Sequence, residues 1–178
     1  ISNSVLKRMN RETNKEQIAN LVNKLRSEIP NVILRTTLIV GFPGETENDF
    51  EELYKFVEQT KFDKLGVFQY SKEDGTPAAK LPEQINGNTK KSRYNKIMKL
   101  QQKISNLNLK NKIGQEVEVL IEDISFDGKY LVGRTKQDVP EIDGIIYIKN
   151  EENENLINQF VKAKVIDVGE YDLIGELI

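Results

Sequence analysis

The chain has 178 residues, of which 38% are hydrophobic and 30% are charged, a balance typical of globular proteins and not of disordered ones. It contains no cysteine and no histidine, which excludes a disulfide framework, a Cys/His zinc site, a Ser-His-Asp triad and a thiol nucleophile. The net charge of −2 combines two unlike halves, because residues 1–113 carry 20 basic and 13 acidic side chains and residues 114–178 carry 6 and 15. No apolar run approaches the roughly 20 residues of a membrane helix, so we expect no membrane contact.

The first part of the chain is predicted to contain a helix followed by a parallel βαβ unit. The four segments are, in chain order, a helix over 12–28, a strand over 32–40, a helix over 45–60 and a strand over 65–70. Thr13 and Thr46 are the predicted helix N-caps, each followed three residues later by an acidic residue that completes a capping box.

The run VILRTTLIV at 32–40 is nearly continuous in apolar and β-branched residues, which predicts a strand buried on both faces. A single βαβ unit leaves such strands without enough neighbours. We therefore expect the first part of the chain to be a piece of a larger parallel α/β domain.

A long polar connection over 71–89 leads into a basic helix predicted over 90–112, and the pattern changes after Gly114. Five short alternating runs follow, at 116–121, 130–134, 145–148, 160–168 and 173–178. Turn signals separate them at 127–128, 143–144 and 150–155. This pattern predicts a small closed antiparallel barrel of the OB type, with the domain boundary near 112–114.

The turn from Gly41 to Gly44, at the end of the first predicted strand, is the most informative segment of the sequence. Its glycines permit close approach to the backbone, and Pro43 stiffens it. It leads into a helix N-terminus, where N–H groups and the dipole favour an anion or ligand carbonyl groups. Active sites of parallel barrels lie at this rim, but a βα turn without a ligand is an equal alternative. Neither a dinucleotide fingerprint nor a P-loop is present.

Three further residues are candidates for the same rim. Arg35 is a charge inside an apolar strand, where an unpartnered charge is costly, so we favour a functional position facing the barrel interior over a solvated stem. Glu45 either has a functional role at the rim or is only a carboxylate in the first helical turn that interacts favourably with the helix dipole. Tyr70 ends the second strand and lies at the same rim by topology, whereas Phe68 is expected in the core.

These segments resemble the second half of the radical SAM methylthiotransferases. The resemblance rests on RTTLIVGFPGET at 35–46, VFQYS at 67–71 and GTPA at 75–78, with LKRMNR at 6–11 upstream. Residues 114–178 resemble the family's C-terminal TRAM domain, a small β-barrel. The resemblance implies a partial TIM-like (β/α) barrel over 1–113, followed by the TRAM barrel.

Two branches of this family differ in their substrate. MiaB-type enzymes modify an adenosine of tRNA, and RimO-type enzymes modify an aspartate of the basic twelfth protein of the small ribosomal subunit. The sequences SKEDGT at 71–76, DVPEIDG at 138–144 and YDLIGE at 171–176 are similar to the RimO type. The charge of −9 in residues 114–178 suits a cationic protein and opposes tRNA. We favour the RimO type, with the MiaB type as the alternative.

The resemblance implies S-adenosylmethionine and two 4Fe-4S clusters as cofactors of the full-length enzyme, which adds a methylthio group to the aspartate β-carbon. Cluster ligation needs thiolates, and this chain has none. The first residue is Ile1, so we expect the chain to be the C-terminal part of a longer cytoplasmic enzyme. By itself it is expected to hold neither a metal ligand nor a catalytic residue and to be inactive.

By resemblance, Ile39, Gly41, Gly44 and Glu45 match the strand motif that contacts the adenosyl part of S-adenosylmethionine. Thr37, a further candidate contact, stands where the family motif begins with glycine. Arg35 and Tyr70 are added as S-adenosylmethionine contacts from topology.

The acidic residues Asp138, Glu141 and Asp143 are the candidates for recognition of the basic ribosomal protein, with simple surface solvation as the alternative.

Two readings from other functional classes remain open. A nucleic-acid-binding module would use the basic helix over 90–112 and an RNA-binding barrel, and it predicts a basic face or clustered aromatic residues on the barrel surface. An autonomous binding domain would have a closed core within 1–113 and no exposed apolar sheet edge.

Overall fold

The computed structural model describes residues 1–149 and 154–178, and these divide into two compact units, 1–104 and 105–178. Part of the turn predicted at 150–155 lies outside the described residues. Leu109, in the last turn of the long helix, packs in the core of the second unit. The domain boundary expected at 112–114 stays a prediction.

The first unit contains the predicted helix and βαβ unit, together with a short helix near its start. Its elements are, in chain order, α1 (Asn3–Arg8), α2 (Lys15–Glu28), β1 (Arg35–Val40), α3 (Glu47–Thr60), β2 (Lys64–Gln69), a 3₁₀ turn (Pro77–Lys80) and α4 (Gly87–Lys110), which continues into the second unit.

The cap of α2 differs from the prediction, whereas the cap of α3 confirms it. Asn14 caps α2 in place of Thr13, because its side chain accepts a hydrogen bond from Gln17 N at 2.9 Å while the Gln17 side chain accepts one from Asn14 N. At α3, Thr46 forms the predicted capping box with Asp49. Both boxes satisfy N–H groups that the first helical turn leaves without a partner.

β1 and β2 pair in parallel, and α3 and α4 cover one face of the pair. On this outer face, Val40 and Val67 pack with Phe50, Val57 and Ile97 of the two helices. The opposite face is exposed, so the predicted burial of β1 on both faces is wrong in the described residues. The alternation follows from the two-residue period of a strand, which sends every second side chain to the uncovered side.

The second unit is a closed five-stranded barrel, as predicted. Its strands are β3 (Glu116–Ile124), β4 (Tyr130–Thr135), β5 (Ile146–Lys149), β6 (Phe160–Val168) and β7 (Leu173–Leu177), in the order β3-β4-β5-β7-β6. Four pairings are antiparallel, but β5 and β7 are parallel, which is a departure from the antiparallel expectation. Apolar side chains alternate into its core, among them Val119, Ile121, Leu131, Ile148 and Val165.

Candidate functional site

The turn from Gly41 to Glu45 connects β1 to α3 and is buried over most of its length. Gly41 and Gly44 have φ angles of 74° and 78°, a left-handed conformation that glycine adopts without steric cost. Phe42 and Pro43 are buried between them. The glycines are therefore required by the backbone path itself.

A buried ion pair supports this turn from α4. Arg93 Nη1 lies 2.7 Å from Glu45 Oε1, and both side chains are about 5% exposed. The same Glu45 oxygen accepts a hydrogen bond from Gly41 N at 3.0 Å. Burial raises the pKa of the Glu45 carboxyl above its ordinary value, while the Gly41 N–H and the Arg93 charge oppose that rise. Glu45 is thus a structural link between the turn and α4.

Lys90 joins the ends of both strands. A methyl group at Gly41 would lie 2.4 Å from Lys90 Cγ, so the lysine stem passes directly over this glycine. Lys90 Nζ donates to the backbone carbonyl of Tyr70 at 2.8 Å and lies 5.1 Å from the centre of the Tyr70 ring. Close approach at Gly41 is therefore made by a side chain of α4.

Gly44 is enclosed in the same way from the other side. Its N–H donates to the carbonyl of Glu83 at 3.0 Å, and a methyl group at Gly44 would collide with the Arg8 guanidinium, which pairs with Glu83 at 2.8 Å. The N–H groups of Gly41, Gly44 and Glu45 all have internal partners. These amides are occupied within the protein and do not form an open anion nest.

The exposed inner face of β1 and β2 carries three of the predicted residues. Arg35, Thr37 and Ile39 alternate along β1, and their register partners on β2 are Lys64, Gly66 and Phe68. Ile39 and Phe68 are 42% and 63% exposed, so the expectation that Phe68 lies in the core is wrong. A side-by-side isoleucine and phenylalanine form an apolar platform of the kind that accepts a planar ring.

A cleft of about 230 Å³ runs along β1 in the first unit. Among the described residues, Thr37, Ile39 and Glu45 line it, whereas the other four predicted residues of this rim (Arg35, Gly41, Gly44 and Tyr70) do not. The structure therefore brings three of the seven predicted residues to one cavity.

Tyr70 follows β2 and packs edge-to-face against Phe42, with 5.2 Å between ring centres. Its hydroxyl is buried and has no hydrogen-bond partner within the described part of the chain. A buried hydroxyl without a partner is unfavourable, so this group is suited to a polar atom that the described residues do not supply.

The acidic barrel residues lie in the β4–β5 connection and differ in their roles. Asp138 accepts a hydrogen bond from the Thr135 hydroxyl at 2.6 Å, and Asp143 accepts one from Val139 N at 2.8 Å. Glu141 is exposed, with φ of 61°. Two of the three carboxylates therefore order the loop, and Glu141 is the most accessible.

Two sequence segments that carried the resemblance lie against each other in the barrel. A methyl group at Gly144 would be 1.9 Å from the backbone oxygen of Tyr171. Asp172 Oδ1 accepts a hydrogen bond from Ile145 N at 2.9 Å. The segments at 138–144 and 171–176 thus share one structural junction at the start of β5.

The barrel also carries an aromatic surface that sequence reasoning missed. Tyr130 on β4 and Tyr147 on β5 pack edge-to-face, with 6.0 Å between ring centres, and Lys149 is the register partner of Tyr130. Phe126, in the β3–β4 connection, is fully exposed. These four residues (Phe126, Tyr130, Tyr147 and Lys149) are called the aromatic surface below. The signal for this surface in the sequence is that both tyrosines occupy outward-facing positions in the two-residue alternation of their strands.

Arg93, Lys90 and Phe68 are the residues of the first unit that sequence reasoning did not select. Arg93 had a detectable signal, because it stands on the same helical face as the buried Ile97 and Leu100, where a charge needs a partner. No group of three or more acidic side chains suited to a metal ion occurs in residues 1–149 and 154–178. In the same described parts of the chain, the helices are all too short or too polar to span a membrane.

Comparison with known proteins agrees with these features. Residues 1–57 match the model of the radical SAM superfamily, and residues 113–178 match that of the TRAM domain. The ribosomal protein uS12 methylthiotransferase RimO of Alkaliphilus oremlandii is 60% identical over 99% of this chain and 40% of its own length. The RimO proteins of Clostridium perfringens and Clostridioides difficile are 51% and 50% identical over 98% and 99% of this chain.

The chain spans about two fifths of the length of these curated relatives. Among solved structures, the apo form of Mycoplasma genitalium RNase R aligns with 57% of this chain and 19% of its own at a TM-score of 0.32 and 17% identity, and we draw no conclusion from it. The matches confirm the resemblance to RimO-type radical SAM methylthiotransferases, in a chain whose start matches the radical SAM superfamily model and whose end matches the TRAM domain model.

Proposed function

We propose that this chain is the C-terminal part of a radical SAM methylthiotransferase that acts on an aspartate of ribosomal protein uS12. The observation that carries the proposal is the 60% identity, over 99% of this chain, to a relative named as a uS12 methylthiotransferase. A ribosomal protein as substrate also favours the cytoplasm as the place of action.

S-adenosylmethionine would supply both the radical and the methyl group of this reaction. Ile39 and Phe68 offer the apolar platform against which an adenine ring can pack, and Thr37 lies between Arg35 and Ile39 on the same face. The Tyr70 hydroxyl is buried, and Tyr70 is not among the described residues that line the cleft, so we do not include it among the direct contacts. These features fit a nucleoside, and they motivate Thr37 and Ile39 as direct contacts.

The two 4Fe-4S clusters of the proposed enzyme do not fit this chain, because the sequence has no cysteine thiolate to hold them. We assign no step of the reaction to cluster ligands here. The role that we propose for residues 1–104 is to bind and orient the nucleoside, and we expect no catalysis by this chain alone.

We propose that the TRAM domain recognises basic uS12 through its acidic loop. Residues 114–178 carry a net charge of −9, which favours a cationic partner through long-range attraction. Glu141 is the proposed contact, because its side chain is exposed, while Asp138 and Asp143 hold the loop in shape.

A chimeric enzyme tests the activity. This chain would replace the matching part of the Alkaliphilus oremlandii relative, and the reconstituted protein would be incubated with uS12, a reductant and S-adenosylmethionine. We expect uS12 to gain the mass of one methylthio group at an aspartate. The variant Ile39→Asp should abolish the gain without unfolding the protein, because Ile39 is already 42% exposed. Modification of tRNA in place of uS12 would overturn the proposal.

The aromatic surface supports a second candidate function, which is RNA binding by the TRAM domain. β4 and β5 are the second and third strands of a barrel with OB strand order, and this face binds oligonucleotides in OB folds. Exposed aromatic rings beside lysines are a stacking platform for unpaired bases. RNA binding by this surface is also what the MiaB-type alternative, which modifies tRNA, would require.

A titration of the whole chain separates the two partners. Against uS12 at two salt concentrations, we expect salt-sensitive binding that Glu141→Lys weakens and Glu28→Lys, an exposed acidic residue of α2, does not. Against a fluorescent single-stranded RNA, the RNA candidate predicts that Phe126→Ala binds more weakly than Phe160→Ala, which removes a ring of β6 that is 70% exposed. Binding to tRNA with none to uS12 would favour the MiaB type.

A further inference from the structure

We infer that Arg93 and Lys90 of α4 are positioning residues that hold the ends of β1 and β2 where Ile39 meets the nucleoside. The inference rests on the proposed function and extends it to residues outside the strand motif. It assigns Gly41, Gly44 and Glu45 to the support of the rim, with the direct contacts left to the inner face.

The first link runs from α4 to the end of β1. Arg93 Nη1 donates to Glu45 Oε1 at 2.7 Å and to the Glu45 carbonyl at 3.2 Å, and the same carboxylate oxygen accepts the N–H of Gly41 at 3.0 Å. Gly41 stands two residues after Ile39. A displacement of Arg93 is therefore transmitted to the strand end through two consecutive hydrogen bonds.

The second link runs from α4 to the end of β2. Lys90 Nζ bonds the carbonyl of Tyr70 at 2.8 Å, while its stem covers Gly41. Tyr70 N in turn donates to the carbonyl of Val40 at 2.9 Å. Lys90 and Arg93 are three residues apart on α4 and therefore lie on the same side of the helix. Both strand ends are thus held by the same rigid helix.

The buried pair is better suited to positioning than to stability. Arg93 lies on the helix face that also buries Ile97, Leu100 and Ile104, where an apolar side chain would pack without desolvating a charge. Its Nε is buried with no hydrogen-bond partner among the described residues, so the arginine is not fully satisfied in this place. The guanidinium instead provides two directional hydrogen bonds, one to Glu45 at 2.7 Å and one to Glu47 at 3.2 Å.

Amide hydrogen exchange of the whole chain tests the positioning role without any cofactor. In Arg93→Met we expect the Gly41 N–H to exchange about 10-fold faster than in the unsubstituted chain, since one hydrogen bond of its support is lost. The acceleration at Gly41 is compared with that of the Val57 amide in the same unit, which reports only the stability lost when the buried pair is broken, and we expect the larger acceleration at Gly41. Arg93→Lys should restore part of the protection, because it keeps the charge. Lys99→Met removes an exposed charge from α4 and should change neither amide.

If Arg93→Met does not fold, Glu45→Gln combined with Arg93→Met leaves no unpaired buried charge and serves as the second variant. Unchanged exchange at Gly41, or equal acceleration at Gly41 and Val57, would overturn the inference, because the role would then be absent or only a contribution to global stability.

The chimeric enzyme gives an independent readout. We expect Arg93→Met to raise the KM for S-adenosylmethionine about 10-fold with a smaller change in kcat, and Arg93→Lys to rescue part of it. An unchanged KM would overturn the role toward the nucleoside. Failure of the unsubstituted chimera to modify uS12 would count against the proposed function, while the exchange result would still decide whether α4 positions the turn.

Discussion

Ile39 on β1 and Phe68 on β2 are register partners on the inner face of the parallel pair, and their side chains remain 42% and 63% exposed. Leu38 and Val67, each one position earlier, are also partners, but they face the helices, where Val67 is 6% exposed. A shift of one residue therefore separates the face that packs from the face that is open to a ligand.

This alternation predicts that substitutions at two neighbouring positions of β2 change the free energy of unfolding by very different amounts. Phe68→Thr should change the free energy of unfolding of the first unit by less than about 0.5 kcal/mol, because it removes an exposed ring and introduces a β-branched residue that suits a strand. Val67→Ala should cost about 2 kcal/mol, because it removes buried methyl groups. Hydrogen exchange of peptides from residues 1–104 measures both. An equal cost at the two positions would contradict the open inner face.

The Arg93–Glu45 pair should show strong coupling. Arg93→Met and Glu45→Gln should each destabilise the first unit by about 3 kcal/mol. Arg93→Met leaves a buried carboxylate without its charged partner, and Glu45→Gln leaves the buried guanidinium with only the exposed Glu47 as a charged partner. The double variant should cost less than the sum of the two by about 1 to 3 kcal/mol. Urea unfolding of the four proteins of the cycle measures this coupling, and additive effects would mean that the pair does not form in solution.

Alanine substitutions at two glycines of the barrel, Gly144 and Gly169, should differ in their cost to stability. Gly144→Ala should cost about 2 kcal/mol, because its new methyl group would lie 1.9 Å from the Tyr171 backbone oxygen and backbone must move to admit it. Gly169→Ala should stay within about 0.5 kcal/mol, because its nearest neighbours would be at 3.7 Å or more. Thermal unfolding of the two variants distinguishes them. A tolerated alanine at Gly144 would show that the junction with Tyr171 is not closely packed.

Asp49 is expected to give the first unit an acid-sensitive contribution to stability. Burial acts to raise the pKa of its carboxyl, but hydrogen bonds from Ser2, Thr46 and Ser4 outweigh burial and hold the pKa well below its usual range. A carboxyl with a lowered pKa stabilises the fold above its ordinary pKa, and this contribution is lost as the pH falls toward the folded-state value.

The test compares the chain with Asp49→Asn across pH. At pH 7 the variant should be less stable by about 1 to 2 kcal/mol, the usual effect of a helix cap. The difference should shrink as the pH is lowered below about 4, where an unfolded aspartate binds its proton. Urea unfolding at a series of pH values measures it. A difference that does not depend on pH would show that the carboxylate charge has no part in the capping box.

Several elements were predictable because they depend on residues close together in the chain. The run that forms β1, the Thr46 capping box and the five alternating barrel strands follow from periodicities of 3.6 and 2 residues and from turn residues. The cap of α2 was misplaced by one residue because Thr13 and Asn14 are both good caps, and the choice of Asn14 depends on its reciprocal bonds with Gln17.

The candidate site was predicted in part. Thr37 and Ile39 were identified from the strand motif, and they line the cleft with Glu45. Phe68 was assigned to the core because an aromatic residue in an apolar run is ambiguous in phase until the covering helices are known. The aromatic surface was missed because its two tyrosines, Tyr130 and Tyr147, are brought together only by the pairing of β4 with β5.

The sequence by itself determined the order of the elements, the turn at Gly41–Gly44, the division of charge and the resemblance to the methylthiotransferases, since each of these is written in neighbouring residues. Only the tertiary structure decided that Arg93 pairs with Glu45, 48 positions away, that Lys90 spans both strand ends, and that β5 and β7 run parallel. These contacts join residues far apart in the chain, and local propensity carries no information about which distant partner a buried charge or a strand edge will meet.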